Sequence, residues 1–263
     1  MMIKITLIIA AFLVNLSSIV KAQDNNNDTL TTETGLKYVY IHHGAGEITK
    51  IHRLILVHYT GSFIDGKKFD SSRDRDTPFG FVLGEKQVIK GWDEGISLLR
   101  IGDRVTFIIP YQLAYGEKGR GLIPPKSTLI FDVEVLDMKE KSLGMVVKEI
   151  LYQDTVNFNI PKVLEVVRNL KNQNFKNIYV NESELNIIGY TLITKVHRPD
   201  IAVEIMKLNV ELYPDSANSF DSLAEAYMEN GDKELAIKNY QKSLELDPTN
   251  TNAKDMLVKL QQK

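Results

Sequence analysis

The sequence predicts two folded parts of different class, α+β over residues 34–140 and all-α over residues 143–263. Three observations carry this. Before Lys141, apolar residues alternate in short runs such as Val105, Phe107, Ile109 and Leu129, Phe131, Val133, Val135, the period of strands with one buried face. One stretch there, Val88 to Leu99, instead places Trp92, Ile96 and Leu99 at spacings of four and three, the period of a helical face. After Lys141 the strand period vanishes, and helical patterns recur about every 34 residues.

Taken in order, the first 22 residues are a different material. Lys4 gives a positive start, Ile5 to Val14 an apolar run, and Val20-Lys21-Ala22 a cleavage-type ending. The run is shorter than the ~20 residues that a spanning helix requires. A signal peptide cleaved near Ala22 is expected, and with it an exported protein, periplasmic or secreted. The alternative is an uncleaved N-terminal anchor. Residues 23–33 are polar and simple in composition, and a disordered leader is expected there.

Leu36, Tyr38 and Tyr40 then alternate with Lys37, Val39 and Ile41 as an edge strand that ends at Gly44-Ala45-Gly46. Arg53 to Tyr59 is β-branched and apolar, a central strand expected to stop at Thr60-Gly61. Asp65-Gly66 marks a tight turn, and Phe79 to Leu83 a further short strand. Gly91 and Gly95 make the helix that follows weak and short. Arg100 to Asp103 turns the chain, Val105 to Ile109 is a strand closed by Pro110, and Tyr111 to Ser127 is a loop rich in Gly and Pro. The strand from Leu129 to Leu136 completes a mostly antiparallel set with one helix.

Composition excludes several functions. A net charge of −2 gives no electrostatic case for nucleic acid. No cysteine means no disulfide, thiol nucleophile or thiolate metal site. The five histidines form no ligand pattern, so no metal and no cofactor is expected. What stands out is the run from Gly66 to Gly95, where Phe69, Phe79, Phe81 and the only tryptophan, Trp92, flank Asp70, Arg73, Asp74 and Arg75. Large aromatics beside a few fixed polar groups are the ingredients of a concave apolar binding site.

VHYTG at 57–61, DGKKFDSS at 65–72, PFGFVLG at 78–84, VIKGWDEG at 88–95, AYG at 114–116, IPP at 123–125 and LIFDVEVL at 129–136 together resemble the FKBP family of peptidyl-prolyl cis-trans isomerases. The motifs follow one another in the family's order from about residue 34 to 138. The resemblance implies a twisted antiparallel sheet wrapped round a short helix, with a shallow pocket between them. It implies Trp92 as the pocket floor, Tyr59, Phe69, Phe79 and Phe131 as walls, and Val88-Ile89 as the main-chain contact to substrate. Tyr115 resembles the tyrosine that reaches the substrate carbonyl, Ile123 the rim residue of its loop, and Asp70 the pocket aspartate with Arg75 and Tyr59 as partners. Asp70, Tyr115, Phe69 and Trp92 are thus the expected catalytic set, and proline-containing polypeptides the expected substrates. Macrolide inhibitors of the family are implied ligands. The loop from Gly116 to Ile123 looks one residue shorter than in small family members, with Arg120 near a variable rim position.

In the helical part Phe220, Leu223, Ala224, Tyr227, Ala236, Tyr240, Ser243 and Pro248 occupy the key positions of a tetratricopeptide repeat. An earlier copy retains Ala202, Met206 and Pro214 but has Asn209 at a small-residue position. Its Ile188, Gly189 and Leu192 fit only if one residue is inserted in the turn. The clearest repeats are therefore 184–216 and 217–250, preceded by a weaker helical pair at 143–173 and followed by a capping helix. Such a stack implies a protein partner. Asp221 and Glu225 hold the positions at which some relatives of the resembled family carry Lys and Asn for a cytosolic chaperone's C-terminal carboxylate, so that partner is excluded. Two functions follow: an exported isomerase that accelerates X–Pro isomerisation in folding proteins, or a non-catalytic chaperone or binding module working through the stack.

Overall fold

The computed structural model describes residues 28–262. The signal-peptide expectation therefore lies outside the described residues. The chain folds as an antiparallel sheet with one short helix, followed by an all-helical region.

The strands of the sheet are β1 (Leu30–Thr31), β2 (Lys37–His42), β3 (Leu54–Phe63), β4 (Lys68–Ser71), β5 (Phe79–Val82), β6 (Arg104–Ile109) and β7 (Leu129–Lys139). Their order is β1-β2-β6-β7-β3-β4, with β5 also paired to β3. β3 is the hub. It pairs with β7 along its whole length, with β4 at Thr60 to Ser62 and with β5 at Leu54 to Val57.

Two expectations are corrected here, and a third is extended. β3 does not stop at Thr60-Gly61 but continues to Phe63, because Gly61 pairs with Asp70 on one side and Phe131 on the other. β2 is not the outermost strand, since Leu30 and Thr31, at the end of the leader expected to be disordered, pair with Tyr38 and Lys37. The glycines of α1 (Lys90–Ile96) are more than a weakness in the helix. A Cβ on Gly91 would lie 2.5 Å from Ile109, and one on Gly95 2.5 Å from Phe107, so glycine lets the helix rest directly on the sheet. The cost in helix propensity is offset by burial of Trp92, Ile96 and Leu99 in one core with Ile55, Val57, Phe81, Val105, Phe107 and Phe131.

The second region holds α2 (Leu143–Leu151), α3 (Ile160–Asn172), α4 (Glu182–Thr191), α5 (Pro199–Leu212), α6 (Ala217–Asn230), α7 (Lys233–Leu246) and α8 (Thr251–Gln261). These share their own core, from Leu143 on α2 to Ala253 on α8. Two short parallel strands, β8 (Lys141–Ser142) and β9 (Ile178–Tyr179), pair beside α2. The Asn159-Ile160-Pro161 stretch opens α3: Asn159 caps it by accepting from Lys162 N at 3.1 Å, and proline sits in the first turn.

The inserted residue of the earlier repeat has a structural counterpart. Leu192–Val196 continues α4 as a π-helical turn, which holds an extra residue without breaking the helix. Asn209, in the small-residue position, is fully buried and donates Nδ2 to Asn186 Oδ1 at 2.9 Å and to the Glu182 carbonyl at 3.2 Å. Ser243, 34 residues later, likewise donates to the Ala217 carbonyl at 2.8 Å. Both side chains join the second helix of a hairpin to the start of the first.

Candidate active site

The hub position of β3 explains how a pocket assembles from distant segments. Tyr59 comes from β3, Phe69 and Asp70 from β4, Phe79 from β5 and Phe131 from β7, while Trp92 projects from α1. These residues, with Val88, Ile89 and Tyr115, enclose a cavity of about 140 Å³. Nine of the eleven residues singled out in the sequence therefore line one site. Ile123 does not line it and packs, partly buried, on the edge of the same core. Arg75 stands outside the cavity and reaches it through Asp70 and Tyr59.

The floor is built by aromatic geometry. The Trp92 ring lies 5.1 Å from Tyr59 and 5.3 Å from Phe131, at interplanar angles of 83° and 82°. Phe69 meets Phe131 edge-on at 5.6 Å and 86°. These edge-to-face contacts favour one arrangement of the rings, so the pocket is preorganised rather than collapsed. The Trp92 indole N–H is buried and has no acceptor among the described residues.

The polar side of the pocket is a linked triad. Tyr59 OH donates to Asp70 Oδ2, Arg75 Nη1 donates to Asp70 Oδ1 at 2.7 Å, and Arg75 Nη2 donates to Tyr59 OH at 3.2 Å. Burial alone would raise the Asp70 pKa, but the bonds from Arg75 and Tyr59 outweigh it and hold the carboxyl below its ordinary value. Burial, followed by the Asp70 bond, pushes Tyr59 up to about 12. The Asp70 and Arg75 side chains are 42% and 53% exposed, so solvent screens their pairing and its role is to fix orientation rather than to stabilise the fold.

Two further groups stand on the cavity wall. Neither the Tyr115 hydroxyl nor the Ile89 backbone N–H has a protein partner among the described residues. One lining residue escaped the sequence reading: Gln87, whose Oε1 accepts from Val82 N at 3.0 Å. It sits in a polar connection between β5 and α1, and nothing in its residue type or spacing marks it.

The helical region carries a second concavity, of about 490 Å³, lined by Tyr190, Ile193, Thr194, Glu225, Met228 and Glu229. Tyr190 OH donates to Glu225 Oε2, while Asp221 accepts from Asn250 Nδ2 at 3.1 Å and from Asn252 Nδ2 at 2.8 Å. Among the described residues there is no cluster of metal-ligating side chains, and no helix is long and apolar enough to cross a membrane.

The architecture is therefore a sheet wrapped on one helix, with an aromatic cavity open to solvent between them. Residues 46–136 match the family model for FKBP-type peptidyl-prolyl cis-trans isomerases, and residues 222–250 the model for the tetratricopeptide repeat. Peptidyl-prolyl cis-trans isomerase Fkbp12 of Drosophila melanogaster is 49% identical over 107 residues, 40% of this chain and 99% of that one. A probable FKBP-type peptidyl-prolyl cis-trans isomerase of Haemophilus influenzae is 50% identical over 116 residues, 44% of this chain and 47% of that one. The FKBP-type peptidyl-prolyl cis-trans isomerase FkpA of Escherichia coli K12 is 46% identical over 109 residues, 41% of this chain and 40% of that one. The chain belongs to the FKBP-type peptidyl-prolyl cis-trans isomerase family. It spans less than half the length of these two bacterial relatives.

Proposed function

We propose that this protein accelerates cis-trans isomerisation of X–Pro bonds in polypeptide substrates. The observation that carries the reading is the preorganised aromatic cavity floored by Trp92, with unpartnered donors at Ile89 N–H and Tyr115 OH on its wall. Rotation about X–Pro faces a barrier of ~18–20 kcal/mol from amide resonance. The planar amide is more dipolar than the twisted one, so a pocket that strips water from it lowers the barrier without covalent chemistry. The proline ring enters against Trp92, Ile89 N–H and Tyr115 OH hold carbonyl oxygens, and the Asp70 carboxylate, oriented by Arg75 and Tyr59, stabilises the distorted amide electrostatically. Phe69 closes the wall over the ring. The same cavity is the site for macrolide inhibitors of the family.

Export is part of the proposal, supported by the Lys4, apolar-run and Ala22 pattern. The helical region is proposed as a binding module for a protein partner, supported by the repeat match and its concave face. With Glu225 and Glu229 on that face, an anionic C-terminus is a poor occupant.

The test is an exchange measurement by NMR on a Leu-Pro peptide with the full chain. Line broadening or magnetisation transfer between isomers at catalytic enzyme concentration is the expected outcome, reduced in Tyr115→Phe. An uncatalysed rate in the presence of folded protein overturns the isomerase reading.

A further inference from the structure

A further cavity, of about 310 Å³, adjoins the aromatic pocket and shares Gln87, Val88, Ile89 and Tyr115 with it. Its own wall is cationic, carrying Lys86, Lys90 and Arg120. None of the three forms an ion pair among the described residues. The neighbouring carboxylates are committed elsewhere: Glu85 faces His52 Nδ1 at 2.6 Å, Glu117 pairs with Lys126 at 2.9 Å, and Asp93 accepts backbone N–H groups from Gly84 and Lys86. Three cations thus stand beside the prolyl pocket with no direct ion-pair partner among the described residues, the nearest bonded carboxylate being Asp93 at the Lys86 backbone.

Their positions are fixed by backbone bonds. Lys86 adopts φ 56, the left-handed region, and is held there by its N–H to Asp93 Oδ2 at 3.2 Å. Arg120 is tied at both backbone groups to Ile123, each bond 2.9 Å, which closes the shortened loop and presents the guanidinium at its tip. A peptide anchored at Ile89 N–H and Tyr115 OH contacts the groups that both cavities share, so a residue flanking the proline lies over the cationic one.

We infer that this rim is a specificity subsite which accepts the carboxylate side chain of an Asp or Glu next to the substrate proline. The inference rests on the isomerase reading above. Three unpaired cations at close range distinguish an anionic from a cationic side chain by an amount that salt screens.

The experiment compares Leu-Pro peptides bearing Glu, Leu or Lys at the positions flanking proline, by NMR exchange, with the full chain at low ionic strength. Catalysis of the Glu peptide is expected to exceed that of the Lys peptide by about tenfold at one flanking position. The ratio should collapse toward one in ~1 M salt, where the screening length falls to ~3 Å. The double variant Lys86→Glu, Arg120→Glu should invert it. A Glu:Lys ratio near one in the wild type overturns the subsite while leaving turnover of the Leu peptide intact. No turnover of any peptide instead overturns the isomerase reading. A ratio that persists unchanged in high salt also overturns the subsite, and that measurement does not depend on the variant folding.

Discussion

Substituting Gly61 with alanine tests the pocket through a single methyl group. Gly61 lies inside β3 in ordinary extended backbone, so alanine meets no conformational penalty there. Its Cβ, however, would fall 2.7 Å from Phe69 Cζ and 2.8 Å from Phe131 Cε1. Carbon atoms rest at ~3.5–4.0 Å, so the two rings must retreat by roughly 0.8–1.3 Å. Neither can do so freely, because Phe131 is edge-on to both Phe69 and Trp92, and the cavity they line absorbs the shift. Overpacking of this kind costs ~1–3 kcal/mol, and the stiffer unfolded chain returns ~0.4–1 kcal/mol, leaving a net loss of about 1–2 kcal/mol. A displacement near 1 Å in a preorganised site costs up to ~100-fold in rate. The expected result is therefore a ten- to hundredfold fall in kcat/KM with a small fall in Tm, read from peptide exchange and thermal melting. Gly80→Ala is the control: its Cβ meets the flexible ends of Leu56 at 3.1 Å and Leu54 at 3.4 Å and should leave kcat/KM unchanged. A Gly61→Ala protein within twofold of wild type would refute the account of the pocket wall.

Three further outcomes are expected. The depressed Asp70 value means its pairing contributes fully above the ordinary carboxylate pKa of 3.8 and is lost as pH falls through the lower folded value, while Tyr59 at about 12 stays protonated. Hence kcat/KM should be flat from about pH 5 to about pH 9, and a break near neutrality would require another titrating group. Asn209→Leu leaves the Glu182 carbonyl and Asn186 Oδ1 without their donor and should destabilise the helical region by about 2–4 kcal/mol in chemical denaturation, with peptide catalysis retained. Deleting the exposed Lys195 should convert the π turn to α-helix at a stability change within about 1 kcal/mol by the same measurement. Cooperative unfolding lost on that deletion would mean that the turn is required.

The strands and α1 were legible because a one-faced sheet and a one-faced helix leave different periods, and the pocket because its residues stand in motifs of distinctive type. Gly61 misled for a physical reason. Glycine ends strands by default, and its value here, room for two rings from β4 and β7, exists only once those strands pair beside it. Gln87 is an ordinary loop residue until Val82 N turns its amide into part of the wall. The extra residue near Leu192 was legible as an irregularity, but whether it becomes a loop or a π turn depends on the packing of α4, which no local signal encodes. Likewise Asn209 was legible only as a misfit, because its partner Asn186 lies a helix away.

The polar inventory of the pocket argues for the kind of bond it receives. Around one apolar cavity stand three donors without acceptors among the described residues: Ile89 N–H, Tyr115 OH and the Trp92 indole N–H. The acceptors are already engaged, with one Asp70 oxygen taken by Arg75, the other by Tyr59, and Gln87 Oε1 by Val82 N. An ordinary secondary amide brings a carbonyl and an N–H, and its N–H must share an acceptor that already receives a bond or keep a water. The imide nitrogen of proline carries no hydrogen. An X–Pro segment therefore supplies carbonyl acceptors to the free donors and asks nothing of the occupied acceptors. On the proposed isomerase reading, proline suits the pocket by what that residue lacks as well as by the shape of its ring.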